Sequence, residues 1–546
     1  MQIDPVADML LASRYLLPGE TPADMFSRVA GAVGRGNPEP FRDVMQNLLF
    51  LPNSPTLMNA GTPSGQLSAC FVLPVEDSIS AIFTTLSYMA RIHQSGGGTG
   101  FSFSHIRPRG DEVRGARGIA SGPISFIRVF DEATSALKQG GKRRGANMGV
   151  LTSSHPDIQA FITSKQGGDL LNFNLSVGFD TTFFRCLERN APYDLVNPRN
   201  GRVWNTIDPL LLWQTLGQAA WKTGDPGVLF FDAINAANTV PGLGMIEATN
   251  PCGEQPLFPY ESCNLGSVNL ARCIRGEEID YDLLGSVVRT GVEFLDAVID
   301  VNTFPVPGIG EKTRLTRKIG LGVMGLADAF IRMRIPYESG EALASCDRIM
   351  GFIQQVARER SGELAEALGS FPAIDKSIFS GPMRNATVTT VAPTGSLHLI
   401  ACTSSGIEPV FSLVSRRHID GNPVVMVHPA IRALVKSVGG GTDMIAEIRR
   451  TGSIQGLSLP DETKDLLKTA AEIAPEYHVR MQATVQKHVD NAVSKTVNMP
   501  ERSTPADICR IFTLARECGC KGITVYRYNS KPDQVISCGC DTCRID

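Results

Sequence analysis

The chain has 546 residues, 42% hydrophobic and 20% charged, which is enough for one large core or several domains and excludes a small disulfide-stapled scaffold. A net charge of -3 lacks the basic excess of a general nucleic-acid or membrane-surface binder, so a small-molecule substrate is expected, with no nucleic acid and no membrane as partner. Thirteen cysteines, scattered through the middle and bunched at the end, do not form a secreted framework and point to redox or metal chemistry in a reducing compartment.

The opening stretch MQIDPVADMLLASRYLLPGE carries acidic residues where a signal peptide is basic, and no run of about 18 apolar residues follows, so a cytoplasmic location is expected. Residues 1–50 read as a helical N-terminal segment. Thr21-Pro22 supplies a cap and a first helical residue, followed by Phe26, Val29 and Val33 at helical spacing. From Leu51 short apolar segments separated by Gly-, Pro- and Asn-rich turns alternate with longer helices, over a domain expected to span 51–528. Asp208-Pro209 opens one helix that stops near Gly224, and Ser339 opens another that ends at Gly369. ATVTTVAPTGSLHLIA reads as strand, turn and helix, the unit of an α/β fold, here a large barrel or sheet with its functional residues in turns. Residues 529–546 are polar and Cys-rich and are expected to form a mobile redox tail.

Three cysteines stand out by context: Cys70 in QLSACFVLP, Cys252 in NPCGEQ and Cys263 in YESCNLGS. An arbitrary cysteine is most often an inert buried thiol. At Cys252, however, Pro251 fixes one backbone angle and Gly253 relaxes the next, which suits a tight loop with the thiol at its tip. Asn250 and Glu254 then place an amide and a carboxylate beside it, groups suited to substrate hydroxyls. A zinc site competes weakly, because Cys252 and Cys263 lack paired two-residue spacing and no His is near in sequence.

The turn APTGSLHLI is able to hold a phosphate through backbone amides and the hydroxyls of Thr394 and Ser396, although it lacks the Gly-Lys-Ser/Thr ending of a Walker loop and a plain helix start reads equally well. SGGGTGFSFS permits close backbone approach to a ligand or is a tight turn. KQGGKRRGANMG is a solvated basic loop or a contact to a phosphorylated ligand. In the tail, Cys538, Cys540 and Cys543 have the close spacing of a zinc knuckle or an exchangeable dithiol. At about 3.3 Å per residue the chain after Tyr526 reaches on the order of 50 Å, enough to visit a buried site.

Together NPCGEQPL, SACFVLP, APTGS leading into SSGIEPVFS, and GGGTGFSFSHIR resemble the large catalytic chain of ribonucleotide reductases, over nearly the whole sequence. The resemblance implies a ten-stranded α/β barrel of two five-stranded halves with a central finger loop. It implies that Cys252 carries a thiyl radical, Glu254 is the base on the 3'-hydroxyl, Asn250 binds substrate hydroxyls, and Cys70 and Cys263 are a reducing pair. Substrate binding carries over to Ser54, Ala69, Gly98, Pro393, Thr394, Gly395, Ser396 and Leu397. Asp77, Arg107, Lys142 and Arg143 fall where relatives bind a nucleoside triphosphate effector, typically at a homodimer interface. The tail thiols would be renewed by thioredoxin or a similar dithiol.

The stretch ITVYRYNS has Arg527 directly after Tyr526, where class I chains have adjacent tyrosines that pass the radical in from a second subunit. The resemblance is therefore nearest to the class II form, with adenosylcobalamin as cofactor and no metal ion held by side chains. A class I chain that needs a radical-generating partner is the alternative.

Overall fold

The structure, a computed structural model, describes residues 4–113, 118–137, 145–419, 422–438, 442–530 and 537–538. Three helices come first, Pro5–Arg14, Pro22–Val33 and Glu39–Gln46. The second begins as the sequence predicts: the Thr21 hydroxyl accepts from the Asp24 amide while the Asp24 carboxylate accepts from the Thr21 amide, so two orphan groups of the first turn are satisfied reciprocally. Its apolar face, Phe26, Val29 and Val33, is fully buried.

Ten strands form one continuous sheet: β1 (Phe50–Pro52), β2 (Cys70–Pro74), β3 (Gly98–Ser102), β4 (Asn147–Thr152), β5 (Phe173–Phe179), β6 (Gly227–Phe230), β7 (Ser262–Asn269), β8 (Ile319–Met324), β9 (Thr496–Met499) and β10 (Gly522–Arg527). β2, β3, β4, β5 and β6 are mutually parallel, each linked to the next by a crossover that carries one or more helices. The second half runs antiparallel to the first at both seams, β7 against β2 and β10 against β6. Within it β7 is parallel to β8 and β9 to β10. The predicted strand in ATVTTVAPTGS lies between these two pairs, bridged in parallel from Leu321 of β8 to Thr389 and from Val391 to Val493 in the segment leading into β9, and so closes a barrel of two halves. It pairs only through these isolated bridges, and its backbone packs hard against Gly322, where a Cβ would lie 2.3 Å from the Thr390 carbonyl oxygen.

The predicted helices occur at Pro209–Thr223, capped by the Asp208 carboxylate and ended by Gly224 in the left-handed region, and at Gly340–Leu368, capped by Ser339. Helices cover the outside of both halves, so strands such as β7 and β8 are buried along their whole length.

The interior of a ten-stranded barrel is too wide for wall side chains alone to fill. Here a loop occupies it: Ala248–Thr249 pairs with Pro256–Leu257, and residues 250–255 form the tip. Walls stripped to glycine let this finger in. A Cβ on Gly100 would stand 1.7 Å from the Thr249 carbonyl oxygen, and one on Gly98 would stand 2.9 Å from Pro251. Gly100→Ala must therefore displace the finger. We expect a stability loss of about 1–3 kcal/mol, measured by chemical denaturation, and a fall in turnover of roughly 100-fold or more, since small misplacements of reacting groups are that costly.

Candidate active site

The finger is pinned to both halves of the barrel. Asn174 Nδ2 on β5 donates to the Pro251 carbonyl at 2.8 Å. From the other half, the Ala492 amide and the Thr390 hydroxyl both donate to the Glu254 carbonyl, each at 2.9 Å. At the tip, Gly253 adopts a φ of 81°, a backbone that a side chain would strain, and its amide closes the turn onto the Asn250 carbonyl at 3.0 Å.

This turn places Cys252 between two cavities. The smaller, about 140 Å³, is lined by Ser54, Ala69, Cys70, Gly98, Asn250, Cys252, Glu254 and the turn Pro393 to Leu397, and thus gathers every residue the sequence assigned to substrate. Among its described lining residues there is no Lys or Arg. An anion entering it meets backbone amides and hydroxyls. The turn is followed by a helix of one turn only, Leu397–Ile400, so little macrodipole stands behind it, and the Thr394 hydroxyl already accepts from the Gly406 amide at 2.9 Å. The larger cavity, about 930 Å³, shares Pro251, Cys252, Pro393, Gly395 and Ser396 with the smaller one and extends between Met148, Val228, Val410, Phe411 and Val525, with Ser404, Glu408, Ser412, Asn498, Thr524 and Tyr526 as polar edges.

Asn250 organises the thiol side. Its Nδ2 donates to Cys70 Sγ at 3.0 Å while its Oδ1 accepts from the Gln255 amide at 3.0 Å, so neither end of the amide can turn away. Cys70 and Cys263 face each other directly across the β2–β7 seam, a position in which sheet geometry brings two Cα atoms within disulfide reach. Both are thiols and both are buried; only Cys70 lines the small cavity. Burial pushes both thiols well above the ordinary range, and at Cys70 the neighbouring Glu254 carboxylate pushes further in the same direction.

Glu254 is almost wholly buried. One carboxylate oxygen lies 3.9 Å from Cys70 Sγ and the other has no hydrogen-bond partner among the described residues. Burial raises its pKa to about 7, only partly offset by its contacts with Asn250 and Cys70. A carboxyl poised near neutrality with an unpartnered oxygen at the cavity is suited to taking a proton from a bound hydroxyl.

Asp77 and Arg107 lie outside both cavities and pair with each other, Arg107 Nε donating to Asp77 Oδ2 at 2.8 Å. Lys142 and Arg143 fall outside the described residues, as do Cys540 and Cys543. The backbone of Cys538 pairs with Ser415 in a short antiparallel ribbon. Sequence reasoning missed Asn174, which pins the finger, and the buried pair Glu261 and Lys318 behind Cys263. The latter had a signal in RKIGLGVMG, a charged residue at the mouth of an otherwise apolar strand.

The comparisons with known proteins agree with this architecture. The sequence matches the ribonucleotide reductase barrel domain over residues 68–382 and 373–526 and the ribonucleotide reductase all-alpha domain over residues 1–65. The chain belongs to the ribonucleotide reductase family. It is 49% identical, over 98% of its length and 81% of the relative's, to a vitamin B12-dependent ribonucleoside-diphosphate reductase of Mycobacterium tuberculosis. It is 50% identical to a protein of the same description from Thermoplasma acidophilum, over 91% of this chain and 66% of that one. Its fold matches the alpha subunit of the class Id ribonucleotide reductase of Actinobacillus ureae with a TM-score of 0.82 at 24% identity, covering 96% of this chain and 97% of that one.

The buried Glu254 makes stability depend on pH. With a pKa of about 7 in the fold against an ordinary 4.5, its stabilising share is complete below about pH 4.5 and is lost as pH rises through 7. Glu254→Gln cannot ionise. We expect the variant to be more stable than the native chain by on the order of 2–3 kcal/mol at pH 8 and nearly equal to it at pH 4, in denaturant titrations at the two pH values.

Proposed function

We propose that this chain reduces ribonucleotides to 2'-deoxyribonucleotides by a thiyl-radical mechanism started by adenosylcobalamin, the class II form of the family. The observation that carries this reading is the position of Cys252, at a finger tip that separates a small polar cavity from a large mixed one. The small cavity suits a nucleotide sugar and its phosphates. The large one, at the upper end of small-ligand pocket sizes, combines apolar walls with hydroxyl, amide and carboxylate edges, the mixture a corrin ring with amide arms requires. Ser404, Glu408, Ser412, Asn498 and Thr524 would hold those arms. When bound there, adenosylcobalamin supplies a carbon-centred radical by homolysis of its cobalt–carbon bond. The names of the Mycobacterium and Thermoplasma relatives support this choice.

The chain's own groups divide the remaining work. Cys252 Sγ takes the hydrogen atom from the 3'-carbon and later returns one. Glu254 accepts the 3'-hydroxyl proton at its unpartnered oxygen, and Asn250, held by Gln255 and Cys70, orients the substrate hydroxyls. Cys70 gives a proton to the departing 2'-hydroxyl. Loss of that oxygen as water needs two electrons, which the Cys70 and Cys263 thiols provide as they form a disulfide. The tail cysteines, Cys538, Cys540 and Cys543, would restore the pair by exchange and be renewed by thioredoxin or a similar dithiol. Asp77 and Arg107, with Lys142 and Arg143, would serve a nucleoside triphosphate effector in a homodimer. No helix among the described residues is long and apolar enough to cross a membrane, which accords with a cytoplasmic enzyme.

A class I chain is the second reading, favoured by one feature: Tyr526 lines the large cavity. Against it, Arg527, which stands where a second tyrosine would, turns its guanidinium onto the Trp221 ring at 4.2 Å and donates to the Trp221 carbonyl.

Anaerobic incubation with adenosylcobalamin, dithiothreitol and CDP or CTP should yield the deoxynucleotide, and no product from either substrate would overturn the proposal. Cys252→Ser should abolish turnover while nucleotide affinity stays within about tenfold. Tyr526→Phe should keep at least half of the cobalamin-driven activity; collapse of activity in this variant would favour the class I route instead.

A further inference from the structure

Behind the Cys70–Cys263 seam the sheet carries a buried cation. Cys263 pairs with Cys70 across β2 and β7, and Asn264 pairs with Ile319 across β7 and β8, so one residue earlier Cys263 stands in register with Lys318. Register neighbours share a face. Cys70, Cys263 and Lys318, the residue just before β8, therefore form one row across the seam, and Cys263 Sγ lies 3.6 Å from the Lys318 carbonyl.

The Lys318 side chain is 2% exposed and forms a buried salt bridge, with Glu261 Oε2 accepting from its Nζ at 2.8 Å. Glu261 is itself fixed by the Thr316 hydroxyl at 2.7 Å and the Phe258 amide at 2.8 Å. The ammonium also lies 4.5 Å from the centre of the Phe258 ring. Glu261 is its only hydrogen-bond acceptor among the described residues.

The two thiols of the pair thus have opposite electrostatic company. Cys70 faces Glu254, with Cys252 and Cys263 as its other titratable neighbours, and none of these is a cation. Burial dominates at Cys263 and disfavours its thiolate, but the largest charge effect on it is the pull of Lys318, ahead of the push of Glu261 and of Glu254 taken singly. Lys521 is the next cation, buried near Lys318 and donating to the Asp490 and Asn491 carbonyls. Accessibility is equally asymmetric, because Cys70 lines the small cavity and Cys263 does not.

We propose that Lys318, paired with Glu261, is a positioning residue for thiol–disulfide exchange: it stabilises Cys263 as the departing thiolate and so directs an incoming thiolate to Cys70. This rests on the reading of Cys70 and Cys263 as the redox pair. In the step, a thiolate attacks Cys70 Sγ, a new S–S bond forms there, the Cys70–Cys263 bond breaks, and its electron pair goes to Cys263 Sγ. A second thiol then displaces Cys70. Two thiols thereby become one disulfide, and their two protons end on Cys70 and Cys263.

The test oxidises the full chain with diamide, adds the monothiol 2-mercaptoethanol, quenches with an alkylating agent at short times and maps the cysteine peptides by mass. The expected result is the mercaptoethanol adduct on Cys70 and the alkylated thiol on Cys263. An adduct on Cys263 overturns the inference while leaving the redox pair intact. Absence of any Cys70–Cys263 disulfide after oxidation overturns the redox pair and the inference together. The charge is tested in the double variant Lys318→Met with Glu261→Gln, which leaves no unpaired buried ion. It should slow the release of Cys263 on the order of tenfold, as expected for a poorer leaving thiolate, whereas Lys318→Arg should stay within about twofold of the native rate. An unchanged rate in the double variant overturns the role of the charge, and the mapping on the native chain decides the direction of attack even if that variant fails to fold.

Discussion

One stretch of backbone passes through the middle of the barrel, and the walls are shaped to admit it. Two strands on opposite halves carry the same device, Gly98-Thr99-Gly100 on β3 and Gly320-Leu321-Gly322 on β8. Alternate residues of a strand face the same way, so each device removes two adjacent side chains from the interior wall. On the first wall the vacated space is taken by Thr249 and Pro251, and on the second by Gln255 and Thr390. With the walls this close, the finger has no freedom to sample other positions. The three hydrogen bonds to Pro251 and Glu254 then fix its height. Rigid placement is what a thiol needs if it is to face two cavities at once.

Much of this was legible in the sequence because it is encoded locally. Pro251 and Gly253 bracket Cys252 as a turn must, and Thr21, Asp208 and Ser339 announce their helices by capping chemistry that acts over three residues. The glycine-rich SGGGTGFSFS was also legible as a place of close approach, though what approaches it, the finger itself, depends on residues about 150 positions later. The facing of Cys70 and Cys263 follows only from strand register, which no local pattern specifies, and the resemblance to a family supplied it. The weakest point was ATVTTVAPTGS. Its β-branched composition promised a regular strand, but its backbone packs hard against Gly322 and pairs only through isolated bridges, and tertiary context overrode propensity. The one-turn helix after it likewise shows that a turn can present hydroxyls to a cavity without a long helix behind it.

Burial does two different things at this site, and the difference explains its composition. It disfavours charge at Cys70, Cys263 and Glu254 alike, so the resting site is close to neutral, with protons on both thiols and a carboxyl near its midpoint at physiological pH. The hydrogen-atom chemistry we propose for Cys252 moves no net charge, so neutral surroundings suit it. Thiol–disulfide exchange needs the reverse, a thiolate stable enough to leave. One buried environment cannot favour both unless charge is brought to only one end of the thiol pair. The Glu261–Lys318 pair lies at the Cys263 end, and neither of its residues lines the small cavity. In the proposed mechanism the radical step at Cys252 and the ionic exchange at Cys263 are thereby kept apart, with Cys70, which lines the small cavity and pairs with Cys263 across the seam, between them.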